Sequence, residues 1–148
     1  MYICSNILMG SLIALEFGER RTGIAHTDSL HIIASGLTTL SPENTIIFLK
    51  DYKLKNDLDA VIIGQSKKSD GSYPVIEKKI LNFISKLKNE FPGLKIIRHD
   101  ERFSSKIAKR TILELGLSKS KRRDKKIIDQ ISATIILQSY LEFSKNLK

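Results

Sequence analysis

The sequence predicts an α/β domain on a mixed sheet: an antiparallel meander of the first three strands followed by parallel strands, flanked by helices. Three observations predict it. The opening run "LIALEF", Leu12 to Phe17, is almost continuously apolar, as in a strand buried on both faces. Two further short runs, Ala60 to Ile63 and Leu94 to Ile97, have the same character. Around them apolar residues recur at helical spacing, the alternation expected of parallel strands joined by helical crossovers.

Each element has its own signals. Leu12 to Phe17 runs into turn chemistry at Gly18 to Arg21, and Gly23 to Thr27 reads as its hairpin partner. Ile32 to Leu40 reads as the third strand. Ser41-Pro42-Glu43 starts a helix, with Ser41 as N-cap, proline in the first turn and Glu43 near the positive helix end. Ile46, Ile47 and Leu49 carry that helix past Tyr52 and Leu54 towards Asn56. Gly64 closes the strand from Ala60, and the polar loop "QSKKSDGSYP" follows. Val75, Ile76, Ile80, Phe83, Ile84, Leu87 and Phe91 recur at helical spacing until Pro92-Gly93 stops them. Leu94 to Ile97 runs into "RHDERFSS". Ile107, Ile112, Leu113 and Leu117 mark another helix, closed by Gly116, and a basic tract, "SKSKRRDKK", separates it from a last helix at Ile127 to Phe143. The expected organisation is a leader at 1–10 and one domain at 11–148, with no internal repeat. Met9 is an expected alternative start, which a native peptide covering Tyr2 to Leu8 would exclude.

Charge bounds the partners. The chain has 148 residues, with 25 Lys and Arg against 16 Asp and Glu, a net charge of +9. Such an excess favours polyanions, nucleic acid first among them. A single cysteine, Cys4, excludes an internal disulfide and a Cys-rich zinc site, which fits a reducing compartment. No apolar run approaches the roughly 20 residues of a membrane span. The expectation is a cytoplasmic protein with no membrane partner.

Carboxylates stand where α/β sheets gather ligands, beyond the carboxyl ends of parallel strands. Glu16 ends the first strand, Asp100 and Glu101 follow the last, and Asp129 lies early in the final helix. Asp129 shares a helix face with Ser132, Ala133 and Ile136, at the apolar boundary where an unpaired carboxylate is costly. Converging carboxylates repel and raise one another's pKa, and a hard divalent ion, Mg2+ or Mn2+, relieves that repulsion. Two such ions can clamp a phosphodiester. The plainer alternatives are a solvated charge at Glu16, a helix cap at Asp100 and a lysine partner, Lys125 or Lys126, for Asp129. His26, His31 and His99 have no ligand spacing. The basic turn at Arg20 and Arg21, the loop from Lys67 and Lys68 to Ser72, and the tract containing Arg122 and Arg123 are candidate phosphate contacts.

The segments "LIALEFGERRTGIAHTD", "VIIGQSKKSDGS", "HDERFSSKIAKR" and "IDQISATIILQSYLE" together resemble the YqgF/RuvX family, in that order and over nearly the whole chain after Gly10. The resemblance implies an RNase H-like fold and a metal-dependent nuclease acting on the 5′ end of pre-16S rRNA or on Holliday junctions. It implies metal ligation by Glu16, Glu101 and Asp129 with Mg2+ or Mn2+. It places Arg102 and Ser104 on the motif's Arg and Ser/Thr, and Asp70, Gly71 and Ser72 on the loop after the second buried strand. The expected partners are an rRNA precursor or branched DNA and the ribosome or its precursor, with the chain a monomer or weak dimer.

Two departures stand out. Glu16 replaces the family's Asp, so its carboxylate reaches about 1–1.5 Å further. Gly64-Gln65-Ser66 replaces "GLP", which predicts a less rigid loop. The longer Glu16 makes a non-catalytic nucleic-acid-binding module the competing function. A third reading, an actin-like ATPase or sugar kinase, follows from "EFGERRTG", but 148 residues do not supply the second domain it needs.

Overall fold

The computed structural model describes residues 10–104, 110, 116 and 124–146. Its strands are β1 (Ser11–Glu16), β2 (Thr22–Thr27), β3 (Ala34–Leu40), β4 (Leu58–Gln65) and β5 (Lys95–Asp100). The helices are α1 (Pro42–Lys55), α2 (Ile76–Glu90) and α3 (Lys125–Asn146), with a short 3-10 turn at Glu101–Ser104. The helix expected across Ile107 to Leu117 lies outside the described residues except at Arg110 and Gly116. Gly116 there takes φ +54°.

The five strands are ordered β3-β2-β1-β4-β5. β1 and β2, and β2 and β3, pair antiparallel, whereas β4 runs parallel to both β1 and β5. This is the expected meander joined to parallel strands. β1 lies in the middle, buried from Leu12 to Leu15.

Period-two alternation divides the core into two layers. Ile13, Leu15, Val61 and Ile63 face α1 and α2, packing with Leu49, Phe83 and Leu87. Leu12, Ala14, Ala25, Ala60 and Ile62 pack with Ala133, Ile136 and Leu137 of α3. The α3 side is lined by smaller residues, so that helix comes close to the sheet. The closest approach is at Gly23, where an added Cβ would lie 2.0 Å from the Asp129 carbonyl oxygen. Backbone cannot yield cheaply there. Gly23→Ala is expected to cost at least about 2 kcal/mol, lowering Tm by about 4–8 °C, as differential scanning calorimetry would read.

Element ends differ from the apolar runs for physical reasons. β4 and β5 continue past Ile63 and Ile97, because backbone pairing such as Gly64 with His99 and Gln65 with Asp100 does not need apolar side chains. β3 begins at Ala34, not Ile32, because the Asp28 carboxylate accepts the N–H groups of Ile32 and Ile33 at 2.9 Å each. Helix α1 starts as expected: the Ser41 hydroxyl accepts the Asn44 N–H at 3.2 Å.

Candidate active site

The carboxylates meet at the open end of the sheet. Glu16 ends β1 on the same face as Leu12 and Ala14, the face that α3 covers. Across the β1-β2 ladder it pairs with Gly23, and Gly23 touches the Asp129 backbone. One bare glycine thus brings the start of α3 down beside the end of β1. Two more contacts fix the helix there. Asp124 caps it, accepting the Lys126 N–H at 3.0 Å, and Thr39 of β3 donates to the Lys126 carbonyl at 2.7 Å.

Glu101 arrives from the other side, just after β5. Its carboxylate lies over Gly64, where a Cβ would stand 2.5 Å from Oε1. The Ser66 hydroxyl donates to Glu101 Oε2. Glu16 and Glu101 hydrogen-bond through their carboxyl groups, and the Asp129 charge also acts on Glu16. Burial, then Glu101 and Asp129, push the Glu16 carboxyl from its ordinary 4.5 up to about 8. The raised value keeps on Glu16 the proton that a hydrogen bond between two carboxyl groups needs.

Asp129 has a cationic partner. Arg21, at the end of the β1-β2 turn, donates from Nε to Oδ2 at 2.9 Å. Neither Lys125 nor Lys126 is its partner, although both are closer in sequence. A cleft of about 50 Å3 opens beside the carboxylates, lined by Glu16, Phe17, Gly64, Ser66, Glu77 and Glu101 with Pro74, Ile76 and Ile80. The donor set is all oxygen and suits a hard divalent cation. Among the described residues no three His, Cys, Asp or Glu side chains yet close around one point. Glu16 and Glu101 are in contact, and Asp129 is held by Arg21.

The RuvX family profile, described as Holliday junction resolvase, matches residues 10–143. The chain belongs to the RuvX family. It is 47% identical over 137 residues to a Flavobacterium psychrophilum protein named "Putative pre-16S rRNA nuclease", covering 90% of this chain and 97% of that one. A Flavobacterium johnsoniae protein of the same name is 48% identical over 133 residues, covering 90% and 96%. Among solved structures, T. thermophilus RuvC in complex with a Holliday junction substrate matches with TM-score 0.56 at 12% identity, covering 91% of this chain and 94% of that one. That likeness supports the RNase H-like fold.

In this RuvX-family chain the remaining predicted positions differ in what holds them. Asp70 and Ser72 close their own turn: Asp70 Oδ1 accepts both the Ser72 N–H and its hydroxyl, at 2.9 and 2.6 Å. Gly71 donates to the Lys68 carbonyl at 2.9 Å with φ +85°. Lys67 stacks on Tyr73, 5.6 Å from the ring centre, and acts electrostatically on Asp100. Arg102 is bonded to Asp100 through Nε and Nη2, and its N–H is capped by the same carboxylate. Those bonds hold Asp100 well down, at about 2. Asp100 is therefore the cap of the 3-10 turn, as the plainer reading expects. Arg20 lies exposed in the turn, and Ser104 ends the 3-10 turn. Arg122 and Arg123 lie outside the described residues. No helix among the described residues is long and apolar enough to cross a membrane.

Sequence reasoning missed one ion pair beneath the site. Arg98 of β5 donates to Glu77 of α2 through both terminal nitrogens at 2.7 Å, and also to the carbonyls of Ile63 and Gly64 at 3.4 and 3.0 Å. Gln65 adds a weaker donation to Glu77 at 3.4 Å. The Arg98 bonds hold Glu77 below the usual carboxylate range. A signal was present: Glu77 lies three residues before Ile80 on the buried stripe of α2. Gln65 and Ser66, the residues in place of the family's Leu and Pro, are thus both bonded to neighbours. Arg98→Met is expected to cost about 3 kcal/mol by leaving Glu77 buried and unpaired. Adding Glu77→Gln should recover part of the loss in urea denaturation; no recovery would assign the loss to the carbonyl contacts instead.

Proposed function

We propose that this protein is a metal-dependent nuclease that hydrolyses phosphodiester bonds in 5′-end processing of pre-16S rRNA. The observation that carries this reading is the Glu16 carboxyl at the end of β1, set against Glu101 after β5 and within range of the Asp129 charge at the start of α3. The likeness to relatives named "Putative pre-16S rRNA nuclease" favours that RNA as the substrate. Glu16, Glu101 and Asp129 would hold Mg2+ or Mn2+. Ions so held would supply an activated water and charge for the leaving oxygen.

The chain's own residues supply the rest. Glu101 is oriented by Ser66, and Glu16 by Glu101. The extra methylene of Glu16 ends in direct contact with Glu101, which supports a site adapted to Glu. Arg20, Arg21, Lys67, Lys68 and Arg102 are the proposed phosphate contacts, with Gly71, Ser72 and Ser104 on their turns and Arg122 and Arg123 on the basic tract. Asp70 shapes its turn. Lys125 and Lys126 sit in the first turn of α3, adding side-chain charge to the positive helix end, where a phosphate backbone is favoured. The proposed setting is the cytoplasm, on the ribosome or its precursor, with the chain a monomer or weak dimer.

The family description favours branched DNA as the second reading. One assay separates the two. Protein with Mn2+ is offered a pre-16S rRNA 5′ leader and a four-way DNA junction. Cutting of the leader alone is the expected result. Cutting of the junction alone would make this a resolvase. Binding of either without cutting would leave a nucleic-acid-binding module.

A further inference from the structure

Arg21 does more than neutralise a neighbour. It meets Asp129 side-on, through Nε alone, 2.9 Å from Oδ2. Among the described residues its two terminal nitrogens have no partner. Guanidinium groups bind carboxylates best as a fork, as Arg98 does on Glu77. Arg21 leaves that fork spare at the edge of the carboxylate site. It also lies in the turn just before β2, outside the strand ladder, with its side chain 37% exposed. Its side chain is less enclosed than that of Arg98, which is held against two carbonyls.

The three carboxylates are satisfied without a metal in two ways. Glu16 and Glu101 share a hydrogen bond, and Asp129 takes Arg21. A divalent cation approaching Asp129 meets the guanidinium as a like charge competing for the same oxygen. We propose that Arg21 is a placeholder cation, which holds Asp129 while the site is empty of metal, gives up Oδ2 when the ion binds, and then takes a non-bridging oxygen of the nucleic-acid phosphate with its free fork. The proposal rests on the metal-dependent nuclease reading above. It assigns Arg21 two successive partners, a carboxylate and a phosphodiester.

The two roles predict opposite effects from one substitution. Removing Arg21 relieves competition for Asp129 and removes a phosphate contact. An arginine that merely braced Asp129 would weaken metal binding when lost, as outer-shell partners do. Mn2+ binding is measured by electron paramagnetic resonance on protein free of nucleic acid. RNA binding is measured by fluorescence anisotropy with Ca2+ across a salt series. Arg21→Ala is expected to bind Mn2+ about fivefold or more tightly and RNA about tenfold more weakly, with the salt slope reduced by about one. Arg21→Lys, which keeps the charge, is expected to stay within about twofold of wild type for Mn2+. If Arg21→Ala melts early, Arg21→Gln, which keeps most of the stem, takes its place.

Unchanged or weaker Mn2+ binding in a folded variant would overturn the placeholder role while leaving the nuclease reading intact. Stronger Mn2+ binding with unchanged RNA binding would overturn the transfer to phosphate. Absence of Mn2+ binding in both wild type and variant would remove the nuclease reading and this proposal with it.

Discussion

Between pH 5 and pH 9 the titration of Glu16 is expected to take on the order of 4 kcal/mol from the stability of the metal-free protein, and Glu16→Gln is expected to abolish that contribution. The native Glu16 carboxyl titrates near 8 because burial and the Glu101 and Asp129 charges disfavour its anion, whereas the unfolded chain releases that proton near 4.5. Between those values the native state binds more protons than the unfolded state. Stability is therefore complete below about 4.5 and declines as pH rises through about 8. For a chain of this size the change is worth about 8–16 °C in Tm. Other shifted groups act elsewhere or cancel. Asp100, held at about 2 by Arg102, contributes stability that is lost only in acid, as pH falls below 3.8. Burial lowers His26 and His99, so their contribution is lost as pH falls through their depressed native values. Both histidines are present in the variant, so the difference between wild type and Glu16→Gln isolates Glu16. Thermal melts in a chelating buffer make the measurement. Parallel wild-type and variant curves would mean that Glu16 is not crowded by its neighbours.

Asp129→Asn is expected to reduce cleavage by about a thousandfold while leaving the fold intact. The substitution keeps the shape of the side chain and an oxygen for Arg21, but removes one of three charges. A loss of about 4 kcal/mol of transition-state stabilisation corresponds to that factor. Melting temperature should change little at neutral pH, where Glu16 keeps its proton and the side-chain oxygen at 129 still accepts from Arg21. RNA affinity in Ca2+ should stay within a few-fold. Single-turnover cleavage of the rRNA leader reads the first effect. Activity within tenfold of wild type would place the chemistry away from α3.

Much of this architecture was legible in the sequence. The apolar runs of β1, β4 and β5 marked the buried layers, and Ser41 marked the start of α1. Glu16, Glu101 and Asp129 were readable as strand-end and helix-start acids, because topology alone sends those positions to one end of the sheet. Their individual partners were not. Arg21 and Asp129 are 108 residues apart in sequence, and Ser66 and Glu101 are 35 apart. Such pairs depend on which faces the packing turns together. Ile32 and Ile33 misled for the opposite reason. They look like strand residues, but the Asp28 carboxylate takes the N–H groups that a ladder would need.

The docking of α3 over Gly23 also sets when the protein acquires its chemistry during its own synthesis. Chains emerge from the N-terminus, and segments can begin to fold as they appear. β1 to β5 and the two helices on one face precede Asp129 in the chain, so the sheet can assemble while the carboxylate set is still incomplete. The third acid joins only when α3 closes on the bare backbone at Gly23. The order of residues along the chain thus sets the moment at which the carboxylate set becomes complete, and that moment is the closing of α3.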